Sequence, residues 1–163
     1  MNFVTAYSYI SNQSLTVNGE KIFVREKTST DDFAKQIYKK ADINYPKFYK
    51  MDMLSEIAFL GVELLKKHFR KITEYADNEI ALLFSNRMSS VNTDIKFRES
   101  YQRNNSPSPA LFVYTLPNIL IGEIAIRNKW VGENLFTISP AFNPDFFADY
   151  CNMLLKKNSK ACL

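Results

Sequence analysis

The stretch TISPAFNPDFFADYCNMLL, residues 137–155, constrains the fold more than any other part of the sequence. A strand-like run is followed by a proline, a small residue and Phe142, and the pattern then predicts a helix over residues 145–157. Its apolar residues leave almost no polar face: Phe146, Phe147, Ala148, Tyr150, Cys151, Met153, Leu154 and Leu155. A helix that is apolar all round must be covered on more than one side. Since a half-domain of this size covers only one side with its own sheet, the sequence predicts an obligate partner, either a second copy or another chain.

Short strands and helices alternate along the rest of the chain. Residues 2–10 predict a first strand, and the Asn18-Gly19 dipeptide predicts a hairpin over residues 14–24. The later elements are a helix capped by Thr30 or Asp31 and running to Lys40, a helix from Asp52, a buried strand at 79–85, helices at 92–103 and 118–128, a strand at 134–139, the helix at 145–157 and an incipient strand at 160–163. This order predicts an α/β fold, a mixed β-sheet layered with helices, as a single domain over residues 1–163.

The helix from Asp52 has the strongest helical periodicity in the sequence. Its apolar positions at spacings of three and four predict one buried face: Leu54, Ile57, Ala58, Gly61, Leu64, Leu65 and Phe69. A glycine on such a face predicts that another element packs closely against the helix at Gly61.

Composition excludes several classes of protein. Hydrophobic residues make up 46% and charged residues 23% of the 163 residues, which is ordinary for a globular chain. No apolar run approaches the roughly 18 residues that cross a bilayer, and the start of the chain lacks a signal-peptide pattern. We therefore expect a cytoplasmic protein that does not bind membranes. The net charge of +4 is too small and too scattered to predict nucleic-acid binding.

The densest basic run contains Lys66, Lys67, His68, Arg70 and Lys71. One interpretation is the solvated last turn of a helix, where cations interact favourably with the helix dipole. The other is a docking patch for an acidic partner. The sequence leaves both open, and it favours a surface position for His68, the only histidine in the chain.

Other chemistry-bearing residues predict no cofactor or metal site. Cys151 and Cys162 have neither metal-type nor redox-motif spacing, so we expect buried reduced thiols. Glu123 and Arg127, four residues apart, predict an ion pair on one helix or an interface contact. The four glycines of the chain never cluster, which excludes phosphate-binding loops.

Three segments and the helix that follows them resemble a known family. They read YKMDMLSEIAFLGVELL, IALLFSNRMSSVNTDIKF and SPSPALFVYTLPNILIGEIAIRNKWVGENLFTIS. In this order they resemble the N-terminal half of β-ketoacyl-acyl-carrier-protein synthases, which are acyltransferases of the thiolase fold. The resemblance runs from about residue 2 to the end of the chain and is most specific from Ser106 to Ser139. The resemblance implies that this chain folds like one half of a thiolase-like protein.

The resemblance also implies where the nucleophile belongs. The family carries a cysteine on a strained turn after the last quoted strand, and Phe142 stands at that position here. Phenylalanine offers no nucleophile, so covalent acyl transfer at this elbow is excluded. Cys151 lies roughly 13 Å further along the helix axis, at about 1.5 Å per residue. The family's two histidines and lysine come from a C-terminal half that this sequence does not contain, so we expect no catalytic residue in this chain alone.

Three functions remain open. The first is a non-catalytic or accessory ketoacyl-synthase-like subunit in fatty acid, polyketide or pigment biosynthesis, paired with an active synthase or with itself. The second is one part of a split condensing enzyme completed by another chain, and the third is a scaffold or binding protein that has left the pathway. In the first, Phe142 plugs the acyl tunnel, packs at the subunit boundary or simply fills the space of the lost cysteine. Acyl carrier protein is then the acidic partner expected at Lys66, Lys67, Arg70 and Lys71.

Overall fold

The computed structural model describes residues 4–26, 32–104 and 106–163. It confirms a chain of mixed α and β structure. The chain divides into two compact units, residues 1–74 and residues 75–163, and each is described by itself. The single domain over residues 1–163 stays a prediction.

The first unit contains a small antiparallel sheet. Its strands are β1 (Ser8–Ile10), β2 (Ser14–Val17) and β3 (Glu20–Val24), in the order β1-β2-β3. The predicted hairpin is confirmed, because β2 and β3 pair across Asn18 and Gly19, whose φ angles are 50° and 83°. Positive φ at both residues gives the turn a twist that matches its strands. The predicted first strand is shorter than expected, since it begins at Ser8 within the described residues.

Two α-helices follow, α1 (Phe33–Lys40) and α2 (Met53–His68). Asp32 caps α1 by accepting a hydrogen bond from the Lys35 amide at 2.9 Å, while the predicted caps Thr30 and Asp31 lie outside the described residues. Asp52 caps α2 in the same way, and the helix predicted from Asp52 is confirmed. Short 3₁₀ segments at Pro46–Lys50 and Arg70–Glu74 flank α2.

The predicted buried face of α2 is wrong in part. Leu64 is buried, but Ile57 is 41% exposed, and the buried apolar residues include Phe59, Leu60 and Val62 instead. The reason is aromatic packing: the ring of Phe59 stacks on Tyr45 with centroids 5.2 Å apart and also meets Phe48, which is fully buried. Tyr45 and the 3₁₀ segment that follows it therefore pack on the side of α2 that carries Phe59.

As predicted, another element lies against α2 at Gly61, and it is β1, but the contact does not require a glycine. The Ser8 hydroxyl of β1 donates a hydrogen bond to the Gly61 carbonyl at 3.4 Å. A Cβ on Gly61 would meet the same hydroxyl at 3.4 Å, which is ordinary contact.

The second unit contains a parallel sheet. Its strands are β4 (Ile80–Asn86), β5 (Asn134–Ile138) and β6 (Ala161–Cys162), in the order β5-β4-β6. The first four residues of β4 are buried, as predicted for a central strand, and the incipient strand near residue 161 is confirmed as β6. The described strands therefore form one antiparallel and one parallel sheet rather than one mixed sheet. A tight turn reverses the chain between β2 and β3, whereas helical crossovers return it in the same direction between β4, β5 and β6.

Four helices complete the second unit: α3 (Val91–Asn104), α4 (Pro109–Val113), α5 (Ile119–Asn128) and α6 (Pro144–Lys156). The short α4 was not predicted. The Ser108 hydroxyl caps it by accepting from the Leu111 amide, and Pro109 occupies its first turn. Among the described residues, no helix is both long enough and apolar enough to cross a membrane.

Candidate functional site at the β5–α6 elbow

The bend between β5 and α6 is held by hydrogen bonds at both ends. The Ser139 amide donates to the Asn86 carbonyl at 3.0 Å, which continues the β4–β5 pairing one residue beyond the strand. The Ser139 hydroxyl donates to the Ala141 carbonyl at 2.8 Å. At the far end, the Asn143 side chain accepts from the Phe146 amide at 3.0 Å and so caps α6. The chain therefore makes a defined turn at the position where the resemblance implies a nucleophile.

Phe142 lies at the outside of this turn. Its side chain is 67% exposed, so it fills no cavity between the described residues. The ring stacks on Phe147 with centroids 5.1 Å apart and an angle of 23° between the planes. The interpretation that Phe142 simply fills the space of a lost cysteine does not fit this exposure.

Phe142 belongs to a group of rings that we call the elbow aromatic cluster: Phe142, Phe146, Phe147 and Tyr150. Phe146 meets Phe147 edge to face at 5.4 Å and stacks on Tyr150 at 5.9 Å. Phe146 is 41% exposed, and Met153 further along α6 is 40% exposed. Contiguous exposed apolar surface of this kind on a globular protein marks an interaction site more often than scattered single residues do.

α6 also packs on the parallel sheet, partly through the inner rings of the same aromatic cluster. Leu154 is 2% exposed and forms a buried cluster with Ala81 and Leu83 of β4. Phe147, Tyr150 and Cys151 pack against this cluster from α6 while staying partly buried. Within the chain, α6 is thus covered by the sheet on one side and carries exposed apolar side chains on another. The partner expected from the sequence stays a prediction.

The two cysteines lie on the sheet side of α6. Cys151 and Cys162 are free, half-buried thiols, and both pack against the Leu154 cluster. Burial, together with the charge and hydrogen bond of the neighbouring Cys151, raises the pKa of Cys162 from 9.0 to about 12. A thiol with this pKa stays protonated at neutral pH and is a poor nucleophile. Cys162 therefore supplies no nucleophile at neutral pH.

The remaining groups with possible chemistry are His68, which belongs to the first unit, and the Ser139 hydroxyl of the elbow. His68 lies at the end of α2, where its Nδ1 donates to the Leu64 carbonyl at 2.9 Å, since a carbonyl can only accept. In the described ranges, no group of three or more histidine, cysteine, aspartate or glutamate side chains could hold a metal ion. The Ser139 hydroxyl, which the sequence reasoning did not single out, is committed to the Ala141 carbonyl.

The basic run lies at the end of α2 and on the 3₁₀ segment after it, but its members differ in their contacts. Lys66 forms a partly buried ion pair with Glu63 at 2.7 Å. Lys67 donates to the Ala41 carbonyl, at the C-terminal end of α1. Arg70 and Lys71 are exposed. The predicted carrier-protein contact therefore has three exposed cations, Lys67, Arg70 and Lys71, and stays a prediction.

Glu123 is buried, which sequence reasoning missed. It is 4% exposed and accepts a hydrogen bond from the Tyr114 hydroxyl at 2.9 Å. The tyrosine lies nine residues earlier, beyond helical spacing, so no local pattern could have indicated this contact. The ion pair with Arg127 stays a prediction.

No family model, no curated protein and no solved structure matches this chain.

Proposed function

We propose that this chain is a non-catalytic ketoacyl-synthase-like subunit with a thiolase-like half fold. It serves fatty acid, polyketide or pigment biosynthesis by pairing with an active synthase or with a second copy of itself. The observation that carries the proposal is the exposed elbow aromatic cluster, which lies where the resembling family has its cysteine. The cluster has the chemistry of an interface and lacks the chemistry of acyl transfer.

The elbow supports the loss of catalysis. The turn from β5 to α6 is well capped, and no thiol or activated hydroxyl lies on it. In a condensing enzyme the reacting group at this turn would benefit from the α6 N-terminus, which favours a thiolate and a developing oxyanion. Phe142 has no proton to lose, so this electrostatic advantage serves no reaction in this chain.

The same elbow supports pairing. Aromatic side chains are enriched at protein interfaces and often supply most of the binding energy. Phe142 and Phe146 have 67% and 41% of their surface exposed. Fully burying a phenylalanine side chain contributes about 1.5–3 kcal/mol. Burying the exposed parts of Phe142 and Phe146 in an interface would therefore stabilise a complex by about 2–3 kcal/mol. Such a gain strengthens association roughly 30- to 150-fold.

Acyl carrier protein is the second partner that we propose. Lys67, Arg70 and Lys71 extend an exposed positive surface beyond the end of α2, and Lys66 adds a fourth cation beside Glu63. Each exposed pair contributes only about 0–1 kcal/mol and is screened by salt. This contact would therefore help to orient an acyl carrier protein but would contribute little to its affinity. We propose the cytoplasm as the compartment, since both cysteines of the chain are free thiols.

A reconstituted condensation assay tests the proposal. An intact β-ketoacyl synthase and acyl carrier protein are assayed with and without this chain, and the chain is also assayed alone. We expect no condensation by the chain alone and a changed rate or product length when it joins the synthase. Phe142→Ser should abolish that effect, whereas Ile126→Ser, which changes a side chain of α5 that is 66% exposed, should not. Condensation by the chain alone, or an effect that survives Phe142→Ser, would contradict the proposal.

A cysteine placed at the elbow tests the geometry separately. Phe142→Cys is made in a chain that also carries Cys151→Ser and Cys162→Ser, so that the elbow thiol is the only one. Because the α6 N-terminus favours a thiolate, we expect alkylation by iodoacetamide with an apparent pKa below the ordinary value of about 8.5. A pKa at or above the ordinary value would show that this turn does not have the electrostatics of a condensing enzyme's elbow.

A further inference from the structure

A cavity in the first unit is lined mainly by apolar side chains from four elements. Its volume is about 220 Å³. Leu15 of β2, Phe23 of β3, Ile37 of α1 and Leu64 of α2 form its floor, and each of them is buried. The hairpin and the two helices thus line an apolar cavity that is partly open to solvent. Every residue lining it lies within residues 1–74, so it is separate in the chain from the elbow.

The ionisable side chains at this cavity are Lys40, Lys67 and His68, and none of the described residues that line it is acidic. Lys40 ends α1, and its Nζ lies 5.6 Å from the centre of the Phe23 ring, so the ammonium group is held directly over the floor. Lys67, near the end of α2, donates to the Ala41 carbonyl. That bond ties the ends of α1 and α2 together at the opening.

His68 adds a donor or acceptor on the same side. Because its Nδ1 donates to the Leu64 carbonyl, the ring is fixed and its Nε2 is directed away from that bond. The opening therefore combines two ammonium groups and a fixed imidazole above an apolar floor. This arrangement complements a ligand with an anionic head and a hydrocarbon tail.

We infer that this cavity binds a free aliphatic carboxylate of medium chain length, with its tail on the Leu15, Phe23, Ile37 and Leu64 floor and its carboxylate between Lys40 and Lys67. The volume sets the chain length. A water molecule occupies about 30 Å³, and a methylene group is of similar size. A cavity of about 220 Å³ therefore accommodates roughly seven such groups, which corresponds to a chain of about six to eight carbons. The cavity is smaller than the roughly 300–1,000 Å³ of sites for larger organic ligands, so we expect it to take a single short chain.

A homologous series of ligands tests the inference on the full chain. Butyrate, hexanoate, octanoate and decanoate are titrated at low salt, and binding is followed by calorimetry and by the methyl NMR signals of Leu15 and Ile37. Each added methylene should tighten binding roughly fourfold up to about octanoate, and the gain should stop when the cavity is full. Octanol, which has the tail without the charge, should bind more weakly than octanoate. Equal affinity for butyrate and octanoate, or no shift of these methyl signals, would overturn the inference.

Variants separate the head site from the tail site. Lys40→Met and Lys67→Met keep an apolar stem but remove the charge, and each should weaken octanoate about twofold to fivefold while leaving octanol unchanged. Lys71→Met removes a nearby exposed charge outside the cavity and is the matched control. Ile22→Phe enlarges a partly exposed side chain at the opening and should exclude octanoate without filling the core. If Lys71→Met weakens octanoate as much as Lys40→Met, the binding is diffuse surface attraction and the inference is wrong.

The inference does not depend on the proposed subunit function. A chain that pairs with a synthase but does not bind octanoate would contradict only the cavity. A chain that binds octanoate but never associates with a synthase or with itself would contradict only the subunit function. Attachment to anionic vesicles without octanoate binding would also overturn the inference, because it would assign the lysines to a lipid surface.

Discussion

Gly132→Ala tests how the parallel sheet is assembled. Gly132 lies just before β5, beside the start of the central strand β4. A Cβ built on it would lie 2.2 Å from the Ile80 carbonyl oxygen, 3.0 Å from the Ile80 carbonyl carbon and 3.2 Å from the Asn78 carbonyl oxygen. All three atoms belong to the backbone, so no side chain can rotate away. One of the two segments must move.

The expected loss of stability can be worked out from the contact itself and from two backbone hydrogen bonds beside it. The Val131 amide donates to the Asp77 carbonyl at 2.8 Å, and the Leu82 amide donates to the Glu133 carbonyl at 2.9 Å. Overpacking costs about 1–3 kcal/mol. Weakening the two hydrogen bonds adds about 0.5–1.5 kcal/mol each. We therefore expect Gly132→Ala to lower the free energy of unfolding by about 2–6 kcal/mol, a large part of the 5–15 kcal/mol of an ordinary domain.

Urea unfolding followed by circular dichroism measures this change, with Gly122→Ala as the matched control. Gly122 lies within α5, and a Cβ there would meet nothing within 4 Å. Alanine should raise helix stability at that position by about 0.5–1 kcal/mol. The two variants should therefore move the urea midpoint in opposite directions. Equal midpoints would refute the account of how β4 and the segment before β5 pack together.

Three further changes test the second unit. Asn143→Ala removes the hydrogen bond from the Phe146 amide and should destabilise the chain by about 0.5–2 kcal/mol in urea unfolding. An unchanged stability would show that this cap does not hold the elbow. Leu154→Ala should lower the free energy of unfolding by about 2–5 kcal/mol, because Leu154 is buried against β4. Met153→Ala, at a position that is 40% exposed, should lower it far less. Similar losses for the two variants would refute the assignment of the sheet side of α6. Burial and the neighbouring Cys151 raise the pKa of Cys162 from 9.0 to about 12, so the unfolded chain releases this proton at a lower pH than the folded chain. The contribution of Cys162 to stability is therefore present below about pH 9 and lost as the pH rises toward 12. The difference in unfolding free energy between the wild type and Cys162→Ser should shrink over that range, and a constant difference would contradict the assigned pKa.

Local signals in the sequence predicted the elements well. The Asn18-Gly19 turn, the buried strand β4 and the start of α2 after Asp52 all depend on a few adjacent residues whose preferences agree. Even β6 was predicted, from the short run KACL at residues 160–163. The boundaries of α5 and α6 also agree with their predicted ranges to within one residue.

Contacts between distant residues were not predictable in the same way. The buried side of α2 depends on Phe59 meeting Tyr45 and Phe48, and α2 has apolar residues on more than one side, so periodicity alone could not choose between them. The Tyr114–Glu123 bond and the ties at the cavity opening likewise join elements that sequence spacing does not relate.

The candidate site was predictable only as a position. The sequence indicated the strand, the bend and the helix around Phe142, together with the absence of a nucleophile. It did not indicate that the ring would be exposed and stacked on Phe147, because that depends on the direction in which α6 leaves the turn. The direction is set by the Asn143 cap and by the packing of Leu154 on β4.

The native mass of the purified chain tests the central claim most directly. Light scattering is measured over a range of concentrations, with the chain alone and with an intact β-ketoacyl synthase, for the wild type and for Phe142→Asp. The account predicts a dimer or a complex with the synthase, which Phe142→Asp weakens while the circular dichroism spectrum stays unchanged. A well-folded wild-type monomer at every concentration, alone and with the synthase, would contradict the claim that the elbow aromatic cluster is an interface.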